Sequence, residues 1–202
     1  MNLFEGCFEK ALSSNLKWIN EPQSWGFQDG RLVIKAPAGG DFFLDPGGSA
    51  PKDSAPFLYT NVSGDFRLTT QVRVDMREQY DSGCLMIMAK EDYWAKVCFE
   101  FFEEEPSILS VVTRGKSDDC VSAPTDVSAP YLSIARAGNS FAFHYSKDGQ
   151  RWKLVRYFGL DCPEDIKIGI VAQSPIGQGC RVIFESLELQ HGVNGDIREI
   201  TS

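Results

Sequence analysis

The segment Asp65-Phe66-Arg67-Leu68-Thr69-Thr70-Gln71-Val72-Arg73-Val74-Asp75 decides the fold class. Its side chains change character at every step: Phe66, Leu68, Thr70, Val72 and Val74 form one set, and Arg67, Thr69, Gln71, Arg73 and Asp75 the other. Successive side chains of an extended strand point to opposite faces, so this period of two gives one dry face and one wet face. A helix needs apolar residues three and four apart, and no window of about 12 residues keeps that spacing.

Outward from this segment the strand signature recurs. Candidate strands run over Leu16 to Asn20, Arg31 to Ala36, Asp41 to Leu44, Phe57 to Tyr59, Gly83 to Ala89, Tyr93 to Phe102 and Ser107 to Thr113. They continue over Tyr131 to Ala137, Ser140 to Ser146, Trp152 to Phe158, Lys167 to Gln173 and Cys180 to Gln190. Turn formers such as Asp29-Gly30, Ser63-Gly64, Gly138-Asn139 and Asp148-Gly149 separate them. The one place for a helical turn is Glu5 to Leu12, and the longest irregular stretch is Gly115 to Pro130. Many short strands at this spacing predict an all-β, two-sheet antiparallel sandwich forming a single domain over residues 1–202.

Composition narrows the function classes. A net charge of −8, with no cluster of Lys and Arg, disfavours a phosphate-backbone partner, so nucleic acid is not expected. No apolar run approaches the ~20 residues that cross a bilayer, and the start of the chain lacks a secretory pattern, so no membrane association and a cytoplasmic location are expected. Six cysteines at Cys7, Cys84, Cys98, Cys120, Cys162 and Cys180 match no zinc or disulfide-scaffold spacing and read as mostly free thiols. Cys84 and Cys98, on neighbouring strands, form the one pairing to check. Neither the Asp41/Asp45 pair nor the Asp118/Asp119 pair has the ligand pattern of a calcium loop, so neither a metal nor a cofactor is expected.

In Tyr93 to Phe102, alternation gives Tyr93, Ala95, Val97, Phe99 and Phe101 to the core and Trp94, Lys96, Cys98, Glu100 and Phe102 to the other face. An aromatic beside charged hydrogen-bonding groups is one way to hold a sugar ring. The plainer reading is a solvated Lys and Glu with Trp94 covering a sheet edge, and both stand at this point. A glycosidase needs two carboxyls about 5 to 5.5 Å or roughly 6.5 to 9.5 Å apart. Glu100 is followed two residues on by Phe102, and Glu103 to Glu105 read as a solvated turn before Pro106, so the pattern argues against an enzyme. His144 and His191 have no partners at triad or metal spacing.

Six blocks together resemble a known family: GGDFFLDPGG at 39–48, APFLYTNVSGDFRLTTQV at 55–72, YDSGCLMI at 80–87, DYWAKVCFE at 92–100, VVTRGKSDD at 111–119 and YSKDGQRW at 145–152. They resemble the concanavalin A-like proteins labelled "regulation of enolase". The resemblance implies a jelly roll similar to legume lectins and laminarinases, with a concave face that holds carbohydrate in relatives and no glucanase acidic motif. It also implies recurring roles for Asp41 with Phe42, for Asp81 in the Asp-Ser-Gly block, and for Trp94, Lys96 and Glu100. Relatives tend to carry Trp where this chain has Phe43.

Three functions follow as expectations. The first is a non-catalytic domain binding a carbohydrate or sugar-like ligand through Asp41, Asp81, Trp94, Lys96 and Glu100, with Arg114 and Gln173 as further candidates. The second is a metabolic regulator that binds a protein partner, with enolase suggested by the family label alone. A glycoside hydrolase is the third.

Overall fold

The computed structural model describes residues 1–193 and 195–200; Asn194 and the last two residues of the expected 1–202 domain lie outside them. In chain order the strands are β1 (Lys17–Ile19), β2 (Trp25–Gln28), β3 (Arg31–Lys35), β4 (Phe42–Phe43), β5 (Lys52–Asp53) and β6 (Phe57–Ser63). Next come β7 (Phe66–Val74), β8 (Ser82–Lys90), β9 (Tyr93–Phe102), β10 (Glu105–Arg114), β11 (Ser117–Pro124) and β12 (Tyr131–Ala137). The last are β13 (Ser140–Ser146), β14 (Trp152–Gly159), β15 (Asp165–Gln173), β16 (Arg181–Phe184) and β17 (Glu188–His191).

One sheet runs β1-β6-β15-β8-β9-β10-β11; the facing sheet runs β14-β13-β12-β7-β16-β3-β2, with β17 also paired to β7. All pairings between strands are antiparallel. The chain is all-β, a two-sheet sandwich of the expected jelly-roll kind, and among the described residues no helix is long and apolar enough to cross a membrane.

The alternation in β7 behaves as read. Phe66, Leu68 and Val72 are fully buried and face Leu85, Ile87, Val97 and Phe99 of the opposite sheet in one apolar cluster. Burial at roughly 25 cal/mol per Å² of apolar surface makes this interface the main stabilising layer. The sheets approach closely at Gly83, where an added Cβ would sit 2.5 Å from Val72 Cγ2 and 2.8 Å from Val182 Cγ1.

Several expectations change. Glu5 to Leu12 is not helical: Gly6 and Glu9 have φ of 79° and 51°, and the segment forms isolated bridges instead. Gly115 to Pro130 is not an irregular loop, because Ser117–Pro124 pairs along β10 as the outermost strand β11. Its mostly exposed, polar residues lack the apolar alternation that marks a half-buried strand. Cys180 to Gln190 splits into β16 and β17, both on β7, around a bend where Ser186 O accepts from Thr70 Oγ1 at 2.5 Å. Strands β2 and β5 had no prior signal.

A second apolar cluster lies on the outer face of the first sheet. Phe42 of the small β4–β5 hairpin covers it, edge-on to Trp94 at 6.1 Å and to Phe57 at 6.5 Å, above Met86, Met88, Cys98 and Leu109. The hairpin is pinned to β11 by Ser117, whose N–H donates to Leu44 O at 2.8 Å and whose Oγ accepts from Leu44 N–H at 2.9 Å. It covers part of the outer face and leaves a cleft beside it.

Candidate functional site

Side chains of β9 that point outward reach this cleft. Lys96 and Glu100 project from β9, Leu109 and Val111 from β10, Asp119 from β11 and Gln173 from β15, and the hairpin supplies Asp41, Phe43 and Lys52. Tyr80, Phe102, Pro175 and Ile176 complete a concavity of about 240 Å³. Register explains the convergence: Asp119 pairs with Val111, which pairs with Lys96, and Gln173 pairs with Ser82, which pairs with Glu100.

Lys96 is buried, yet held in its charged form. Its Nζ donates to Phe42 O at 2.9 Å and to Gln173 Oε1 at 2.8 Å, and lies 3.9 Å from Asp41 Oδ1. Gln173 Nε2 donates to the same Asp41 oxygen at 2.8 Å, and Lys52 Nζ sits 3.4 Å from Asp41 Oδ2. Burial alone would depress the ammonium; Cys98, Asp41, Cys84 and Glu100 around it outweigh that and raise its pKa.

Glu100 has the opposite environment. It is 8% exposed, lines the cleft and makes no side-chain hydrogen bond or ion pair among the described residues. Burial holds its pKa well above the ordinary glutamate range, opposed by Lys96 and reinforced by Cys84, Asp119 and Asp41. Asp119 is an exposed residue of an edge strand, yet its carboxyl is also raised, first by the partial burial of that group in the cleft wall, with Lys96 working against the rise. Beneath the cleft Cys84 and Cys98 stand directly opposite each other across β8 and β9, and all six cysteines are free.

The rim is strained and apolar. Tyr80 has a φ of 73°, a left-handed conformation that costs a bulky residue energy, and its ring tilts over Phe102 at 6.2 Å. Asp81 holds that turn: Oδ2 accepts the N–H groups of Arg77 and Glu78 at 3.1 and 3.0 Å, and Oδ1 accepts from Ser174 Oγ at 2.6 Å.

A model of the family described as "Protein of unknown function (DUF1349)" matches residues 18–192. The chain belongs to the DUF1349 family. It is similar to the Saccharomyces cerevisiae "Regulation of enolase protein 1", with 23% identity over 173 residues, 85% of this chain and 87% of that protein. It superposes on a functionally unknown protein from Saccharomyces cerevisiae with a TM-score of 0.84 and 23% identity, covering 90% of this chain and 98% of the other. The GH43 protein BlXynB from Bacillus licheniformis gives a TM-score of 0.72 at 14% identity, over 92% of this chain and 39% of that one. Lectin I-B4 from Griffonia simplicifolia gives 0.62 at 11% identity, over 94% and 98% of the two chains. At these identities the structural likeness concerns the fold.

In this DUF1349 chain, four of the seven sequence-predicted site residues meet in the cleft: Asp41, Lys96, Glu100 and Gln173. Three do not. Trp94 is 1% exposed and packed under Phe42, so the expected open stacking face is absent; the hairpin covers the side that alternation had left free. Asp81 is buried and spent on the Tyr80 turn. Arg114 lies away from the cleft, at the end of β10, and donates to Gly159 O of β14 at 2.6 Å. His144 is a buried structural residue with Nε2 3.0 Å from Arg198 O.

Sequence reasoning missed Lys52, Tyr80, Asp119 and Ile176. The signal for Asp119 is the tight turn at Gly115, which has a φ of 73° and sets the β10–β11 register. Glu103 and Glu104 do form the expected turn, with φ of 49° and 66°, although β10 starts at Glu105 and takes in Pro106.

Proposed function

We propose that the cleft binds a sugar-sized, polyhydroxylated ligand without transforming it. The carrying observation is the convergence of Asp41, Lys96, Glu100, Gln173 and Asp119 in a concavity otherwise walled by aromatic and aliphatic side chains. A few fixed polar groups in an apolar wall orient a ligand that offers both hydroxyls and ring faces. Binding is favoured over catalysis because Lys96 is fixed by two hydrogen bonds and the nearby Asp41 carboxylate and stays charged, so it is no nucleophile. The likeness in fold to a lectin and to part of a GH43 protein supports a carbohydrate as the ligand class. The six free thiols support a cytoplasmic location.

A second reading has its own observation. The yeast relative is named for regulation of enolase, and the cleft rim exposes Ile176 at 59% and Tyr80 at 36%, which suits a protein partner. Neither nucleic acid nor membrane is proposed as a partner.

A glycan array beside affinity capture from cytosol tests both. Retention of a glycan that Asp119→Ala abolishes supports the ligand reading; Asp119 is exposed, so the fold is spared. Failure to retain any glycan refutes it. Capture of enolase that survives Asp119→Ala and is lost in Ile176→Ser favours the regulator.

A further inference from the structure

The charges of the cleft are already matched. Lys96 donates to Phe42 O and Gln173 Oε1, and its charge is compensated by Asp41, 3.9 Å away. Lys52 faces the other oxygen of Asp41, so that carboxylate sits between two ammonium groups. Asp119 also lines the cleft and forms no ion pair among the described residues. Two cations therefore stand against Asp41 and Asp119, with Glu100 as a third carboxyl, so the cleft holds no surplus positive charge for an anionic guest. A ligand carboxylate or phosphate would lose water beside the unpaired carboxyls of Asp119 and Glu100, and the Lys52 charge is already shared with Asp41.

Among the described residues Glu100 is the one polar side chain in the cleft that is more than nine-tenths buried and without a hydrogen-bond or ion-pair partner. A carboxyl in that position either loses solvation as an anion or remains a neutral acid with one O–H donor and one free acceptor. We propose that the cleft selects uncharged sugars over the corresponding uronates and sugar phosphates, with Glu100 donating its O–H to a ring or hydroxyl oxygen of the ligand and setting that specificity. This deepens the ligand reading above and rests on it. A sugar suits the arrangement because its hydroxyls both accept from Glu100 and donate to Asp119.

The groups facing Glu100 are Lys96 and Cys98 from its own strand, Cys84 from β8, Tyr80 before β8, Asp119 from β11, and Asp41 and Lys52 from the hairpin. Burial, with Cys84, Asp119 and Asp41, keeps the proton on Glu100 against the pull of Lys96. The donor is thus present below the raised pKa of Glu100 and is lost as pH rises through it.

The experiment is an amide chemical-shift titration of the full chain with D-glucose, D-galactose, D-xylose and L-arabinose, and with D-glucuronate, D-galacturonate and glucose 6-phosphate. At neutral pH at least one neutral sugar should shift cleft amides, and its acidic counterpart should bind roughly tenfold more weakly or worse. Affinity for the neutral sugar should fall about tenfold as Glu100 ionises. Glu100→Gln keeps a neutral donor of the same shape, so it should bind within about threefold of wild type and show no such pH dependence. Glu100→Ala, checked for an intact melt, should lose binding at every pH. Equal binding of a uronate or phosphate, or an unchanged pH profile in Glu100→Gln, overturns the selectivity and the role of Glu100 and leaves a sugar site standing. Absence of any response to all seven compounds overturns the ligand reading itself, and the selectivity with it.

Discussion

Replacing Trp94 by Ala should destabilise the fold as a core deletion does. The indole is 1% exposed, meets Phe42 edge-on at 6.1 Å and has Lys96 Nζ 5.7 Å from its ring centroid. Truncation of a buried aromatic costs about 3 to 5 kcal/mol, counting the transfer of the lost atoms and the void they leave. The cover above Trp94 is a hairpin of two-residue strands, which can settle into the gap more readily than a sheet, so the lower end, about 3 kcal/mol, is expected. For a chain of this size that is a fall in melting temperature of roughly 6 to 12 °C. Urea unfolding followed by far-ultraviolet circular dichroism gives the loss as a shift in midpoint at unchanged slope. Trp94→Phe, which refills most of the space, should cost less than half as much. A loss below about 1 kcal/mol for Trp94→Ala would refute the burial of the indole and restore an open aromatic face on β9.

Stability should also titrate with Glu100. Its folded pKa lies above the ordinary value of 4.5, so its contribution is fully present below that value and declines as pH rises, by up to about 1.4 kcal/mol per unit until the folded carboxyl ionises. Glu100→Gln should therefore match wild type in urea unfolding near pH 4 and exceed it at pH 7; parallel pH profiles would contradict the raised pKa. Gly83→Ala places a methyl against Val72 and Val182 and should cost about 1 to 3 kcal/mol by thermal melt, and a neutral result would mean that the sheets stand further apart. With a thiol reagent and no reductant, Cys120 should react first, Cys7 and Cys162 more slowly, and Cys84, Cys98 and Cys180 only on unfolding. Six thiols should then be counted; four would indicate a Cys84–Cys98 bridge.

The strands with a clean period of two were legible: β9, β12 and β13 have the expected bounds, and β7 buries the expected face. Alternation separates two faces of a strand but is silent on what covers each. Lys96 and Glu100 read as solvent markers, and that reading drew Trp94 outward with them. In the structure both are buried, and Asp41 and Gln173, 132 residues apart, close over Lys96. No local pattern encodes that contact. Strand β11 was illegible for a different reason: it lies at the edge of its sheet and is polar on both sides, so pairing with β10 alone defines it.

That edge position ties the cleft to the solubility of the molecule. An outermost strand presents unpaired backbone groups to any other chain, and charged side chains along it discourage such pairing. Asp118 and Asp119 are consecutive on β11, one reaching Arg156 at 3.0 Å and the other lining the cleft. Under the proposed binding role, Asp119 therefore has two constraints on it, the ligand on one side and the exclusion of a second molecule on the other. Apolar replacements there that reshape the cleft would also remove a guard from the sheet, and variants selected for altered binding at this position will tend to self-associate unless a charge is restored nearby on the strand.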